Sequence, residues 1–330
     1  MKPLLTIIIP TYNRENELQE CLSHVIPQIL PYKDKVHIYI SDNASTDNTK
    51  QVVSAKIEKN PNIITYYCHQ KNIGACNNFI HAVHNVDSEY IYLLSDDDII
   101  VPGFFSLMLQ YINDYPQIDY FYFNQWVTDY DMNVLFLWNI HIGKENIKIY
   151  KNGGELIKDY LNGPSCMSAN IFRKSIWNEG RKMVTEEYPG YDWLAILFCG
   201  CFNKKSAYIP YPMFSARAPK NNWYSSNWPW YYIVGMGKVM QLLDYNYNSN
   251  LYKEWTHYQQ KHNFRTFFKT LCTVSYDKTL YIKRKKDMQK YIITRSGRLF
   301  FYANLYLFPS WFTKYIILNI LKVLKLFYKK

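Results

Sequence analysis

Several features are missing from these 330 residues, and each omission excludes a class of protein. No run reaches the roughly 18 to 20 uninterrupted apolar residues that a membrane-crossing helix needs, so the sequence predicts no transmembrane span. The opening MKPLLTIIIPTYN passes from a short apolar stretch into Pro and Asn with no small-residue cleavage site, and reads as a strand rather than a secretory leader. The seven cysteines (Cys21, Cys68, Cys76, Cys166, Cys199, Cys201, Cys272) are odd in number and scattered. Cys199 and Cys201 stand one residue apart, not two, and no paired His spacing accompanies them, so they read as reduced thiols of a cytoplasmic protein rather than a zinc knuckle. A glycine-rich phosphate loop bearing a lysine is absent, which speaks against a nucleotidyltransferase. So is any nucleic-acid recognition module, and no nucleic-acid partner is expected despite the basic charge.

What is present begins with bulk and charge. A hydrophobic content of 48% over this length is enough for a full core and more than one folding unit. The net charge of +11 is uneven: from Lys253 onward there are 17 Lys and Arg against 3 Asp and Glu, so residues 1–252 are slightly acidic. That end also carries KRKK (283–286) and LFFYANLYLFPSWFTKYIILNILKVLKLFYKK (299–330), where large apolar rings alternate with lysines. Such a mixture suits attachment to an anionic membrane surface, placing the protein on the inner face of the cytoplasmic membrane. A helix packed on the body with a solvated basic face is the alternative. Upstream, SARAPKNNWYSSNWPWYY (215–232) is dense in Trp and Tyr. Its rings suit stacking on sugar rings, or a protein or membrane contact.

In the first half, short β-rich runs alternate with segments of helical period, the signature of an α/β fold with a largely parallel sheet. LLTIIIP is a first strand, followed by a helix for which Asn13 is the expected N-cap. KVHIYISD, ITYYCHQ and EYIYLLSDDD supply three more strands. In such sheets ligands gather at the carboxyl ends of the strands. PTYNR, SDNASTD, NIG and SDDD each come directly after a predicted strand, and four polar clusters in the right place outweigh one.

PTYNRENEL, ISDNASTDNT, NIGACNNF and LLSDDDIIVPG, in this order and spacing, resemble the family 2 glycosyltransferases of the GT-A fold, inverting enzymes that build bacterial surface polysaccharides. The resemblance is strong from residue 4 to about 110 and looser to about 200. It implies a GT-A catalytic domain over 1–215, with a nucleotide-sugar half at 1–110 and an acceptor half at 111–215. A basic, aromatic and mainly helical region would occupy 216–330. It further implies a nucleotide-sugar donor, a UDP-sugar foremost, a glycan or lipid-linked acceptor, and Mn²⁺ or Mg²⁺ bridging the donor phosphates. Carboxylates are the usual protein ligands for such cations.

On that basis Asp97 takes the place of the metal ligand, Asp96 that of a contact to the donor ribose or a metal-bound water, and Asp98 comes third. Carboxylates capping the helix that starts near Pro102 are the bland alternative. Pro10, Thr11 and Tyr12 would line the donor site, Tyr12 lying on a pyrimidine ring and Asp42 accepting from a ring N–H. Arg14 would meet a phosphate or simply sit at a solvated helix start. Asp47 would brace its own loop. Asn72 and Gly74 match a donor-loop element, Gly74 allowing close backbone approach. The family often carries an arginine just beyond, where this chain reads ACNNF. An inverting displacement needs one general base. Asp192, ahead of a helical run in EEYPGYDWLAILF, fits that role, although an N-cap could look the same, and Glu187 is the reserve. GPSCMSANIFRKSIW (163–177) reads as a strand pair closing the sugar pocket. A non-catalytic glycan- or lipid-binding protein on a decayed transferase fold is the rival reading.

Overall fold

The computed structural model describes residues 2–138, 146–161, 163–218 and 234–261. They fall into two units: residues 1–186 with 192–218, and residues 187–191 with the chain from 219 on. The aromatic loop lies outside the described residues from 219 to 232, and the basic, aromatic tail lies wholly outside them.

The first unit is built on one sheet. β1 (Leu5–Thr11), β2 (Val36–Asp42), β3 (Ile64–Cys68) and β4 (Tyr90–Leu93) run parallel in the order β3-β2-β1-β4. All seven residues of β1 are buried, as expected of a strand covered on both faces. Three helices connect them: α1 (Glu15–Ile29), α2 (Thr49–Lys59) and α3 (Ala75–Asn85). In α1 the buried residues are Leu18, Cys21, Leu22, Val25, Ile26 and Ile29, the apolar stripe that helical spacing predicts.

Beyond β4 the sheet turns mixed. After β5 (Ile99–Ile100) and α4 (Phe104–Asp114) come β6 (Tyr120–Thr128), β7 (Val134–Leu137), β8 (Lys148–Tyr150), α5 (Gly153–Asp159) and β9 (Asn170–Arg173). Next are α6 (Lys174–Arg181), α7 (Asp192–Cys201) and β10 (Ser206–Arg217). β9 lies antiparallel between β4 and β6, and β10 pairs parallel with β6. The expected strand pair over 163–177 is instead two 3₁₀ turns, the single strand β9 and the start of α6. The β10–β6 register shifts between Ile209 and Phe214, where Pro210 and Pro212 interrupt the strand; proline has no N–H to give the ladder.

The core is unusually aromatic. Tyr90, Tyr92, Tyr120, Phe121, Tyr122, Phe123, Phe104, Phe105 and Phe172 are fully buried. α6 and α7 meet through glycine: a Cβ on Gly180 would collide with the carbonyl of Ile196, and one on Gly200 with that of Ile176. In the second unit, α8 (Met236–Tyr247) turns through Asn248, at φ 52°, into α9 (Leu251–Lys261). Asp244 holds that turn by accepting from Ser249 Oγ (2.6 Å) and Tyr252 N (3.2 Å).

Candidate active site

The loops after β1 and β2 are tied to each other. Asn13, expected as a helix cap, lies one residue outside that position in the left-handed region (φ 52°), and its Oδ1 accepts from the N–H of Thr46 at 2.7 Å. The start of α1 is served from the other loop: Asp47 Oδ2 accepts from Glu15 N (3.1 Å), while Asp47 Oδ1 accepts from Thr49 N (3.1 Å). Glu15 returns a carboxylate oxygen to Asn48 N at 2.6 Å. These bonds join two helix starts, and although burial pushes the Asp47 carboxyl up, the hydrogen bonds it accepts from Thr49 and Glu15 bring it below its usual range.

Pro10 and Thr11 end β1 in register with Ser41 and Asp42 of β2. Tyr12 comes next with 43% of its surface exposed. Asp42 is buried. Its Oδ1 accepts from Ser45 N at 2.8 Å and its Oδ2 from Tyr66 Oη at 2.6 Å. The third loop joins through amides: Asn43 Nδ2 donates to Asn72 Oδ1 (3.0 Å), Asn43 Oδ1 accepts from Ile73 N (2.8 Å), and Asn72 Oδ1 also accepts from Gly74 N (2.8 Å). Gly74 has φ 86° and ψ 152°, a backbone state open to glycine alone, and a Cβ there would meet nothing within 4 Å.

The three aspartates after β4 point different ways. Arg14 Nη1 donates to Asp96 Oδ1 and to Asp97 Oδ2, both at 2.8 Å, so one guanidinium bridges the first two carboxylates. The Asp97 side chain keeps 15% exposure against 5% for Asp96, and its Oδ1 accepts from Ser95 Oγ at 2.6 Å. Asp98 turns inward, accepting from Ser168 Oγ (2.6 Å) and from the backbone N–H of Arg217 (3.0 Å). The buried Thr11 hydroxyl lies beside the Asp96 carboxyl. None of the three caps α4, whose N-cap is Gly103 and whose Phe104 N–H donates to Gln28 Oε1 of α1.

Burial sets the electrostatics. It pushes the Asp96 carboxyl up to about 6, against the pull of Arg14 and with the repulsion of Asp97. It pushes Asp98 well above the carboxylate range, with Asp97 adding to the shift and Ser168 opposing it. Burial works against the Arg14 charge, yet Asp96 and Asp97 more than restore it, and its pKa is raised.

Among the described residues no group of three or more His, Cys, Asp or Glu side chains converges on one metal position. The residues still fit a nucleotide-bound divalent cation. Asp97 and Asp96 offer two adjacent oxygen ligands, and such cations complete their shell with phosphate oxygens and water rather than an all-protein cage.

Asp192 is the first residue of α7, half-buried, and lies against Cys76 in the first turn of α3, two residues past Gly74. The carboxylate and burial together push the Cys76 thiol up to about 12, burial being the larger cause. The ACNNF segment thus sets a thiol, kept protonated, beside Asp192. Glu187 belongs to the second unit, where its carbonyl accepts from Lys238 Nζ at 2.8 Å. Ser95 belongs to the SDDD motif, whereas Ser168, Tyr66 and Arg217, which also hold carboxylates in place, carry no motif of their own.

The family model for glycosyl transferase family 2 matches residues 6–179, more than half of the sequence. The chain belongs to this family. The glycosyltransferase is 26% identical over 216 residues to a GalNAc(5)-diNAcBac-PP-undecaprenol beta-1,3-glucosyltransferase of Campylobacter jejuni, a match covering 63% of this chain and 62% of that one. Its fold is similar to the S. aureus TarS 1-349 structure in complex with UDP-GlcNAc, with a TM-score of 0.56, 15% identity, and coverage of 92% of this chain and 79% of that chain. It is also similar to the mannosyltransferase PcManGT of Pyrobaculum calidifontis in complex with GDP-Man and Mn2+, with a TM-score of 0.52, 14% identity, and 92% and 85% coverage. These likenesses support the GT-A arrangement expected from the motifs.

Proposed function

We propose that this glycosyltransferase moves a sugar, with inversion, from a UDP-sugar to a glycan acceptor on a lipid carrier, in the synthesis of a surface polysaccharide or glycoconjugate. The observation that carries the reading is the gathering of Arg14, Asp96 and Asp97 at the carboxyl ends of β1 and β4, next to Tyr12 at the end of β1 and Asp42 at the end of the neighbouring β2. A cluster of this kind suits a diphosphate and its cation next to a planar base. The UDP-GlcNAc of one structural neighbour, the Mn2+ of another and the undecaprenol-linked substrate of the Campylobacter relative support the class of donor, cofactor and acceptor.

In this reading Tyr12 lies on the base, Asp42 accepts from its ring N–H, and Pro10, Thr11, Asn72 and Gly74 line the ribose and phosphate path. Asp97 and Asp96 would hold Mn²⁺ or Mg²⁺, which when bound would supply charge stabilisation to the departing diphosphate. Arg14 then exchanges its carboxylate partners for phosphate oxygens, where its planar fork binds well. Asp98 keeps the end of β10 against the aspartate loop. Asp192 takes the proton from the acceptor hydroxyl as the sugar is transferred, and Glu187 is the alternative base. The catalytic domain spans 1–215, and the basic region from 216 rests on the anionic inner face of the membrane. Among the described residues no helix is long and apolar enough to cross a membrane.

A thermal-shift series with UDP, GDP and CDP, each with and without Mn²⁺, tests the donor half. Ligand binding to the native state raises the midpoint, so UDP with Mn²⁺ should raise it most. No shift with any nucleotide would remove the reading.

A further inference from the structure

With Asp42 as the acceptor for a base N–H, the role proposed for it in donor binding and the one on which this inference rests, the groups that hold its carboxylate decide which base it takes. An ionised carboxylate is acceptor-only and has about four lone-pair directions. Two are fixed here from opposite sides. The loop's own backbone supplies Ser45 N to Oδ1, and the neighbouring strand supplies Tyr66 Oη to Oδ2 at 2.6 Å, in the short range of a charge-assisted bond.

Tyr66 reaches this position because of strand register. It pairs with Ile40, and Asp42 pairs with Cys68, so Tyr66 and Asp42 are diagonal neighbours on one face of the β2–β3 pair, within reach of a long side chain. Asp42 is only 1% exposed, and its carbonyl also accepts from His69 N at 2.9 Å. The carboxylate therefore has no freedom to turn toward water, and its orientation is set by two donors. Burial and then the Asp42 carboxylate raise the Tyr66 phenol far above its ordinary value, so the group stays an O–H donor throughout the working pH range.

We propose that Tyr66 is a specificity-determining residue, locking Asp42 as a fixed acceptor so that the site favours a pyrimidine with a ring N–H, uracil or thymine, over cytosine. Uracil presents an N–H donor at N3. Cytosine presents a lone pair at the same ring position, and against an acceptor that cannot rotate away the two lone pairs oppose each other. Discrimination of this kind is large only when the buried polar group is held in place. A carboxylate released from Tyr66 can rotate, or admit water between itself and cytosine.

The test is calorimetric titration of UDP and CDP, both at saturating Mn²⁺, into the full chain and into Tyr66→Phe, Asp42→Asn and the double variant. Wild type should prefer UDP. Tyr66→Phe, which keeps the ring, should lower the UDP-to-CDP affinity ratio by about tenfold, the scale of one hydrogen bond to a charged group. In the Asp42→Asn background Tyr66→Phe should change nothing further. If Asp42→Asn loses the preference while Tyr66→Phe retains it in full, the role of Tyr66 is overturned and that of Asp42 stands. If Asp42→Asn keeps the wild-type ratio, or wild type has no preference, the reading of Asp42 itself falls. Circular dichroism and unfolding midpoints of each variant separate lost recognition from lost fold, and Tyr66→Leu gives a second removal of the hydroxyl.

Discussion

The two sides of the crevice are built on opposite principles. On the base side, around Asp42, Asn43 and Asn72, polar groups are matched by neutral donors from the backbone, an amide or a phenol. On the phosphate side, two of three consecutive carboxylates share one guanidinium while the third turns inward, and burial drives Asp96 and Asp98 toward protonation. The first region is organised before any ligand arrives. The second carries more negative charge than its protein partners neutralise, and a cation accompanying a diphosphate would supply the difference. Base recognition should therefore depend on geometry, and phosphate recognition on charge and pH.

The largest effect should come from neither side. Asp192→Asn is expected to lower kcat by about 10²- to 10⁴-fold, the usual scale of a general base, with donor affinity retained. Steady-state kinetics beside donor titration would show it, and parallel loss of donor binding would return Asp192 to the structural role of a helix-start residue.

Asp98 sharpens the contrast, because it lies among the aspartates but is placed as a structural brace. Asp98→Ala takes the acceptor from the Arg217 N–H and from the Ser168 O–H, whose oxygen still accepts from Ser95 N, at about 1 to 3 kcal/mol for a buried donor left unpaired. Thermal unfolding should register that loss. If Asp98→Ala leaves stability unchanged, the brace is wrong.

Gly200→Ala is a control outside the crevice. It should destabilise the protein by about 1 to 3 kcal/mol through overpacking against Ile176, with nucleotide affinity unchanged in the folded fraction.

The smallest effect is one of pH. Asp96 titrates at about 6 in the folded chain, above the ordinary value near 3.9 that it has unfolded. Between those two values the native state holds the extra proton, so this group's contribution to stability falls as pH rises through the window. A metal-bound nucleotide requires the deprotonated form. Affinity for UDP with Mn²⁺ should therefore weaken severalfold from pH 7 to pH 5, while affinity for UDP alone changes little. Equal pH dependence with and without metal would break the distinction between the two sides.

The contrast also explains what could be read in the sequence. The four strands of the first half and the stripe on α1 come from period alone, and the loops PTYNR, SDNASTD, NIG and SDDD fall at strand ends because a parallel sheet puts them there. The second half is less legible. β9 is four residues long between helical turns, and β10 carries Pro210 and Pro212, so neither shows a clean alternation. Partners from distant chain positions are hidden for another reason. Ser168 and Arg217 meet Asp98 across 70 and 119 residues, contacts that no local pattern encodes. Tyr66 is within reach of inference, since two-residue periodicity puts it on the face of Asp42 once β2 and β3 are paired. The direction of each aspartate is not, because adjacent identical side chains differ only in what surrounds them.

The most direct test of the charge-deficient phosphate side is calorimetric titration of UDP into wild type and Asp97→Asn, with and without Mn²⁺. The account expects Mn²⁺ to strengthen UDP binding strongly in wild type and hardly at all in Asp97→Asn, with both proteins binding UDP alone to a similar extent. An Asp97→Asn protein that keeps the full Mn²⁺ enhancement would contradict it.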